Sequence, residues 1–265
     1  MFNKLKLGQK LLIAFLCVGV IPFAVVGLTS LIKASSALEA SAFNQLKAVQ
    51  AIKKTQIEQY FAERQGDMTV LTETVQGFLK QAGTMDAVKA SLATEGKDFF
   101  ADYCKQYGYY DLFLINPDGQ VHYTVAKEAD YNTNLVNGKF ADSNLGKLVR
   151  QVIQTRQFGL ADFAPYAPSN GEPCGFIAAP IIEQGEVRQI VALQLSLETI
   201  NKIMQQREGM GKSGETYLVG PNKRMRSDSF LDPTHHSVKA SFADSAKGSV
   251  DTEASRAALA GSTDA

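Results

Sequence analysis

Six side chains carry whatever chemistry this chain offers: Tyr123, Lys127, Asp130, Asp162, Tyr166 and Phe176. Tyr123 sits on an alternating strand pattern and offers a ring face and a hydroxyl. Lys127 and Asp130 follow on the next loop, and Asp162 and Tyr166 fall where a later strand ends. Brought together in a concavity walled by a sheet and its loops, they would hold a charged or zwitterionic small molecule by charge-assisted hydrogen bonds. The plainer alternative is that Tyr123 and Phe176 are core, Lys127 is solvated and Asp162 caps a turn.

Other groupings carry less. Gly211-Lys212-Ser213 suggests a P-loop, but the first glycine would fall at Gln206, and the segment leads from helix into strand, the reverse of the required order. His235-His236 with Asp232 lacks metal-ligand spacing, and no CxxC appears. Lys223, Arg224 and Arg226 read as a solvated face. No nucleophile–base pair or paired carboxylates stand out, so no enzyme, cofactor or metal is expected. With 27 basic and 27 acidic residues there is no net charge to favour nucleic acid.

The elements that must position these residues begin in a membrane. Residues 11–32 are apolar with no charge, about 33 Å long as a helix and enough to cross a bilayer core. A cleaved signal peptide would have a shorter apolar region, although Ser35-Ser36-Ala37 is a passable cleavage site. Lys4, Lys6 and Lys10 precede the stretch without an acidic residue. That asymmetry predicts a cytoplasmic N-terminus, residues 1–10, and an extracytoplasmic location for everything after Lys33. Cys104 and Cys174 would then lie in an oxidising compartment where a disulfide is permitted.

Residues 33–108 read as a helical stalk. Ile57, Phe61, Met68, Leu71, Val75 and Phe78 form one apolar stripe with a polar slot at Arg64, to be packed on its own domain, on a second copy, or on both. A shorter helix with Phe99, Phe100, Tyr103 and Tyr107 on one face closes at Gly108. Residues 109–206 then read as one module. Strands are expected at 110–115, 121–125, 160–163, 176–182 and 188–195, with helices at 144–156 and 197–204. On the second strand, Val121, Tyr123 and Val125 are expected to share a face. The composition is α+β, an antiparallel sheet with flanking helices, PAS-like in type.

Phe113-Leu114-Ile115-Asn116-Pro117-Asp118 aligns without a gap on Tyr217-Leu218-Val219-Gly220-Pro221-Asn222, and Val121 falls on Met225. Residues 207–265 therefore read as the start of a second, incomplete copy. Two unrelated hairpins with similar turns are the alternative.

Leu5-Lys6-Leu7-Gly8-Gln9-Lys10-Leu11-Leu12, Ala42-Phe43-Asn44-Gln45-Leu46 and Ile57-Glu58-Gln59-Tyr60-Phe61 resemble bacterial methyl-accepting chemotaxis proteins. Asp162-Phe163-Ala164-Pro165-Tyr166-Ala167-Pro168-Ser169, Phe176-Ile177-Ala178-Ala179-Pro180 and Gly214-Glu215-Thr216-Tyr217-Leu218-Val219-Gly220-Pro221 resemble a double Cache sensor ectodomain. The resemblance implies the periplasmic sensing half of an inner-membrane chemoreceptor, working as a homodimer on a small-molecule ligand. Similar ectodomains are attached to histidine kinases and nucleotide cyclases. The Arg-x-Trp-Tyr motif by which amino-acid-binding members hold a carboxylate is missing, and the chain has no Trp, so an amino-acid ligand is not implied.

Overall fold

Residues 11–32 carry no charge, and in an apolar medium a helix satisfies their backbone groups internally, Pro22 alone having no N–H to donate. The computed structural model, which describes residues 6–84, 87–88, 90 and 98–262, accordingly begins with helix. Helix α1 (Leu7–Phe15) passes through a π-helical turn (Leu16–Val20) into α2 (Ile21–Ala82). The apolar side chains of the stretch, Phe15, Val18, Phe23 and Leu31 among them, stand exposed, as a lipid-facing helix requires.

The described residues divide into two compact units, those up to Ile52 and those from Lys53 onward. In the second unit the stripe of α2 packs on its own domain. Met68, Leu71 and Val75 are fully buried, with Phe61 and Phe78 against the same cluster. The polar slot is filled by geometry: the Arg64 guanidinium lies 4.8 Å from the Tyr60 ring centre and 5.2 Å from that of Tyr109, and pairs with Asp67 at 2.8 Å.

Helix α3 (Phe99–Tyr107) is capped by Asp98 and stopped by Gly108, whose φ of 74° is left-handed. Strands β1 (Tyr109–Ile115) and β2 (Val121–Thr124), helix α4 (Asn144–Thr155), strands β3 (Gly159–Pro165), β4 (Pro173–Glu183) and β5 (Glu186–Leu195), and helix α5 (Leu197–Met204) follow. Their order matches the expected one. The strands form an antiparallel sheet in the order β2-β1-β5-β4-β3. Period-two alternation divides its side chains between two cores. Leu112, Leu114, Val191 and Leu193 face α2 and α3, whereas Phe113, Ile115, Ile190 and Ala192 face α4. Cys104 and Cys174 are both free and belong to opposite faces.

The two aligned hairpins share their turn bonding. Ile115 pairs with Val121, and 104 residues later Val219 pairs with Met225. Asn116 N–H donates to the Gln120 carbonyl at 2.8 Å, and Gly220 N–H to that of Arg224 at 2.8 Å. Gln120 N–H donates to Asp118 Oδ1 at 3.0 Å, and Arg224 N–H to Asn222 Oδ1 at 3.2 Å. The second hairpin is a single bridge rather than two full strands. Short helices α6 (Pro233–His236), α7 (Val238–Ala243) and α8 (Glu253–Leu259) follow it. A third cluster joins Met225, Val238 and Val250 to Tyr60 of α2, Phe163 of β3 and Ile200 of α5.

Candidate ligand-binding site

Asp111 on β1, Gln194 on β5 and Phe176 on β4 are neighbours in register across three adjacent strands, on the α4 side of the sheet. They form the floor of a polar cluster at the end of the sheet marked by Tyr109 and Leu195. The loop after β2 and the turn after β3 supply the rest of it.

Asp111 is fully buried. Its Oδ1 accepts from the N–H groups of Leu112, Val125 and Ala126 at 2.7, 2.8 and 3.0 Å, and its Oδ2 from the Thr124 hydroxyl at 2.5 Å. These bonds stitch the loop to the sheet. Burial pushes the carboxyl up to about 6, against the pull of Thr124, Ala126 and Leu112.

Asp130, also fully buried, accepts from the Tyr166 hydroxyl at 2.6 Å through Oδ2. Its Oδ1 is shut from solvent without an aligned donor, although the backbone N–H groups of Asp130 and Tyr131 lie close enough to favour the charge. Burial dominates and raises this carboxyl as well, and it pushes the Tyr166 hydroxyl up. Tyr166 packs edge-on against Phe176, centroids 4.9 Å apart.

Gln194 donates through Nε2 to Cys174 Sγ at 3.1 Å and to Ser169 Oγ at 3.5 Å, and its Oε1 is buried without a partner. Ser169 in turn donates to Glu128 at 2.6 Å, and Glu128 also accepts from Tyr110 at 2.9 Å. The cluster is thus composed of acceptors and hydroxyls, and none of its members is a cation. Cys174 is inert: burial pushes its thiol up to about 12.

Of the six predicted residues, the structure brings Asp130, Tyr166 and Phe176 together. Lys127 is on the same loop, exposed, with a φ of 51°. Tyr123 lies on the other face. The β1–β2 pairing skips His122, matching Ile115 with Val121 but Leu114 with Tyr123, so this bulge turns Tyr123 away from Val121 and toward α3. There its hydroxyl donates to Asp98 at 2.6 Å and its ring packs on Phe100. Asp162 is removed by a second bulge, between Ala161 and Ala164, and pairs with Arg226 of the second hairpin. Arg226 therefore does not belong to a solvated face; it is buried. Asp111, Glu128, Ser169 and Gln194 escaped the sequence reading. Asp111 and Gln194 each interrupt an apolar run, Tyr-Tyr-Asp-Leu-Phe-Leu-Ile and Val-Ala-Leu-Gln-Leu, and that interruption is the signal that marks them.

A cleft of about 490 Å³ opens at the opposite end of the sheet, between Leu79, the turn Asn116-Pro117-Asp118, His122, Arg188 and Gln189. It holds none of the six residues, and the buried Gln189 amide already donates to the Ile115 carbonyl at 2.7 Å.

No protein-family model matches this sequence, and no curated protein does. Solved structures do match. The sensory domain of the Campylobacter jejuni chemoreceptor Tlp3 aligns over 73% of each chain at 12% identity with a TM-score of 0.53. The fold is that of Cache-type sensory domains. The ligand-binding domain of Tlp3 in complex with L-valine gives a TM-score of 0.52 at 11% identity over 73% of each chain. That of the Pseudomonas fluorescens chemoreceptor CtaA in complex with L-isoleucine gives 0.51 at 13% identity, over 79% of this chain and 77% of the other.

Proposed function

We propose that this chain is the ligand-sensing region of a bacterial transmembrane chemoreceptor. Residues 11–32 hold it in the inner membrane, and the sensor lies in the periplasm. Three observations support the reading: the shared sensory fold, the lysines before the membrane helix, and the chemoreceptor-like segments flanking it. Homodimerisation belongs to the same proposal, because Leu38, Phe43 and Leu46 leave apolar surface uncovered on the early part of α2.

The observation that carries the sensing role is the pair of buried acceptors without an aligned donor, Asp130 Oδ1 and Gln194 Oε1. Unsatisfied buried polar atoms cost roughly 1–3 kcal/mol each, and a ligand that donates to them recovers that energy. The solute that fits is small and donor-rich, a protonated amine without a carboxylate, since no cation in the cluster would hold an acid. The full chain in detergent micelles, heated with millimolar ethanolamine, putrescine, L-isoleucine or acetate, tests this. The two amines should raise the unfolding midpoint, acetate and L-isoleucine should not, and Asp130→Asn should abolish the response. If neither amine acts, or Asp130→Asn responds like the parent, the distal site is wrongly placed.

A further inference from the structure

The bulge that removes Asp162 from the distal cluster gives it a second partner. We propose that the Asp162–Arg226 ion pair is the joint through which the state of the distal cluster reaches the second hairpin and α2, an inference that rests on the sensing role proposed above.

The pair is bidentate. Arg226 Nε meets Asp162 Oδ1 at 2.6 Å and Nη2 meets Oδ2 at 2.7 Å. The remaining N–H groups of Arg226 go to Asn222 Oδ1 at 3.0 Å and to the carbonyls of Arg224 and Met225 at 3.0 and 3.3 Å. A side chain at Gly220 would place its Cβ 2.3 Å from Arg226 Cζ, so glycine is what lets the guanidinium lie on its own turn. The arginine is therefore fixed to the hairpin whether or not Asp162 is present. Asp162 differs: its side chain is 51% exposed, and water can replace its partner. A joint with one fixed half and one solvated half opens at small cost, as half-exposed ion pairs do.

Both ends of the joint are tied to what it would connect. Four residues beyond Asp162, Tyr166 donates to Asp130 in the distal cluster, and the intervening Pro165 restricts the backbone between them. The Asn144 side chain donates to the carbonyls of Asp162 and Cys174 at 3.0 and 2.7 Å, so the bulge moves with the strand that carries Cys174. Between the two residues, Phe163 enters the third cluster, held against Gly175, where a Cβ would approach its ring to 3.2 Å. On the far side Arg226 N–H donates to the Leu218 carbonyl at 2.7 Å, and Met225 shares the third cluster with Tyr60 of α2. A ligand that engages Asp130 Oδ1 re-aims the carboxylate whose Oδ2 anchors Tyr166, and the resulting shift of β3 is felt at Asp162.

A double-mutant cycle in the full chain in micelles tests the joint without any ligand. Tyr166→Phe removes the hydroxyl bond and keeps the ring. Amide exchange in residues 216–227 should quicken at least about twofold, the lower end for coupled neighbours. In an Asp162→Asn or Arg226→Met background the same substitution should leave that exchange unchanged. Protection of β5 amides controls for folding, and Asp162→Asn, at a half-exposed site, is the variant that decides if Arg226→Met is unstable. Equal responses with and without the pair, or none in the parent, would overturn the proposal. Because no solute is added, that result says nothing about whether the distal cluster binds an amine, and the two proposals fail separately.

Discussion

Replacing Asp111 separates the charge of a buried carboxylate from its hydrogen bonds. Its carboxyl rises from 3.8 to about 6, chiefly through burial, which corresponds to roughly 3 kcal/mol of differential interaction between its two protonation states. The folded-state value lies above the unfolded one. The stabilisation is therefore fully present below about pH 4 and is lost as pH rises through 6. Asp111→Asn keeps an oxygen for the N–H groups of Leu112, Val125 and Ala126, and its amide can donate to Thr124 Oγ1 in place of the present bond. At pH 7 this variant should lie within about 1 kcal/mol of the parent, whereas Asp111→Ala, which strands three backbone donors, should lose at least about 3 kcal/mol. Between pH 7 and pH 4 the parent should gain up to about 3 kcal/mol relative to Asp111→Asn. Urea unfolding of the full chain in micelles measures all three proteins. Asp130 is also raised and interacts with Asp111, so the series is best repeated in an Asp130→Asn background. A parent-to-Asn difference that is flat from pH 4 to 7, or an Asn variant as damaged as the Ala one, would refute the account of Asp111 as a buried, loop-anchoring carboxylate.

The two hairpin turns share their bonding but should answer differently to substitution. Gly119, with a φ of 93°, has Val136 Cγ2 2.5 Å from where a Cβ would sit, so Gly119→Ala should cost about 1–3 kcal/mol in denaturant titration. Its counterpart Lys223 already holds a φ of 60°; Lys223→Gly relieves left-handed strain but gives up a half-exposed pair with Asp251, and should change stability by less than about 1 kcal/mol. Equal effects at both positions would contradict the crowding by Val136 assigned to Gly119. Cys104 and Cys174 are buried, with thiols pushed up to about 12, so maleimide at pH 8 should label neither of them until the protein is unfolded. Labelling of either buried cysteine in the folded protein, followed by peptide mapping, would show that its cluster opens.

What the sequence conveyed and what it withheld divide along one physical line. The strands, the capped helix ending at Gly108 and the stripe from Met68 to Val75 follow from periodicity and local chemistry, and each was legible. The likeness of the two hairpin turns was legible too, because a Pro-Asx turn fixes its bonds within a few residues. Which face a side chain occupies is a different matter. Period-two reasoning carries Tyr123 to the face of Val121, and one residue skipped by the strand register, His122, reverses it. A second bulge likewise redirects Asp162 toward a hairpin more than 60 residues downstream. Bulges are set by pairing between strands, so neither leaves a mark in the strand that carries it. Asp130 and Tyr166, by contrast, meet from loops beyond the bulged segments. The residues that periodicity missed, Asp111 and Gln194, broke the apolar pattern from inside. In a run destined for burial on both faces, a polar side chain must find partners or supply a site. Asp111 finds its partners in its own strand, in Thr124 of β2 and in the loop that it anchors; Gln194 and Asp130 each keep one oxygen without an aligned donor, and that difference separates the scaffold from the site proposed for a ligand.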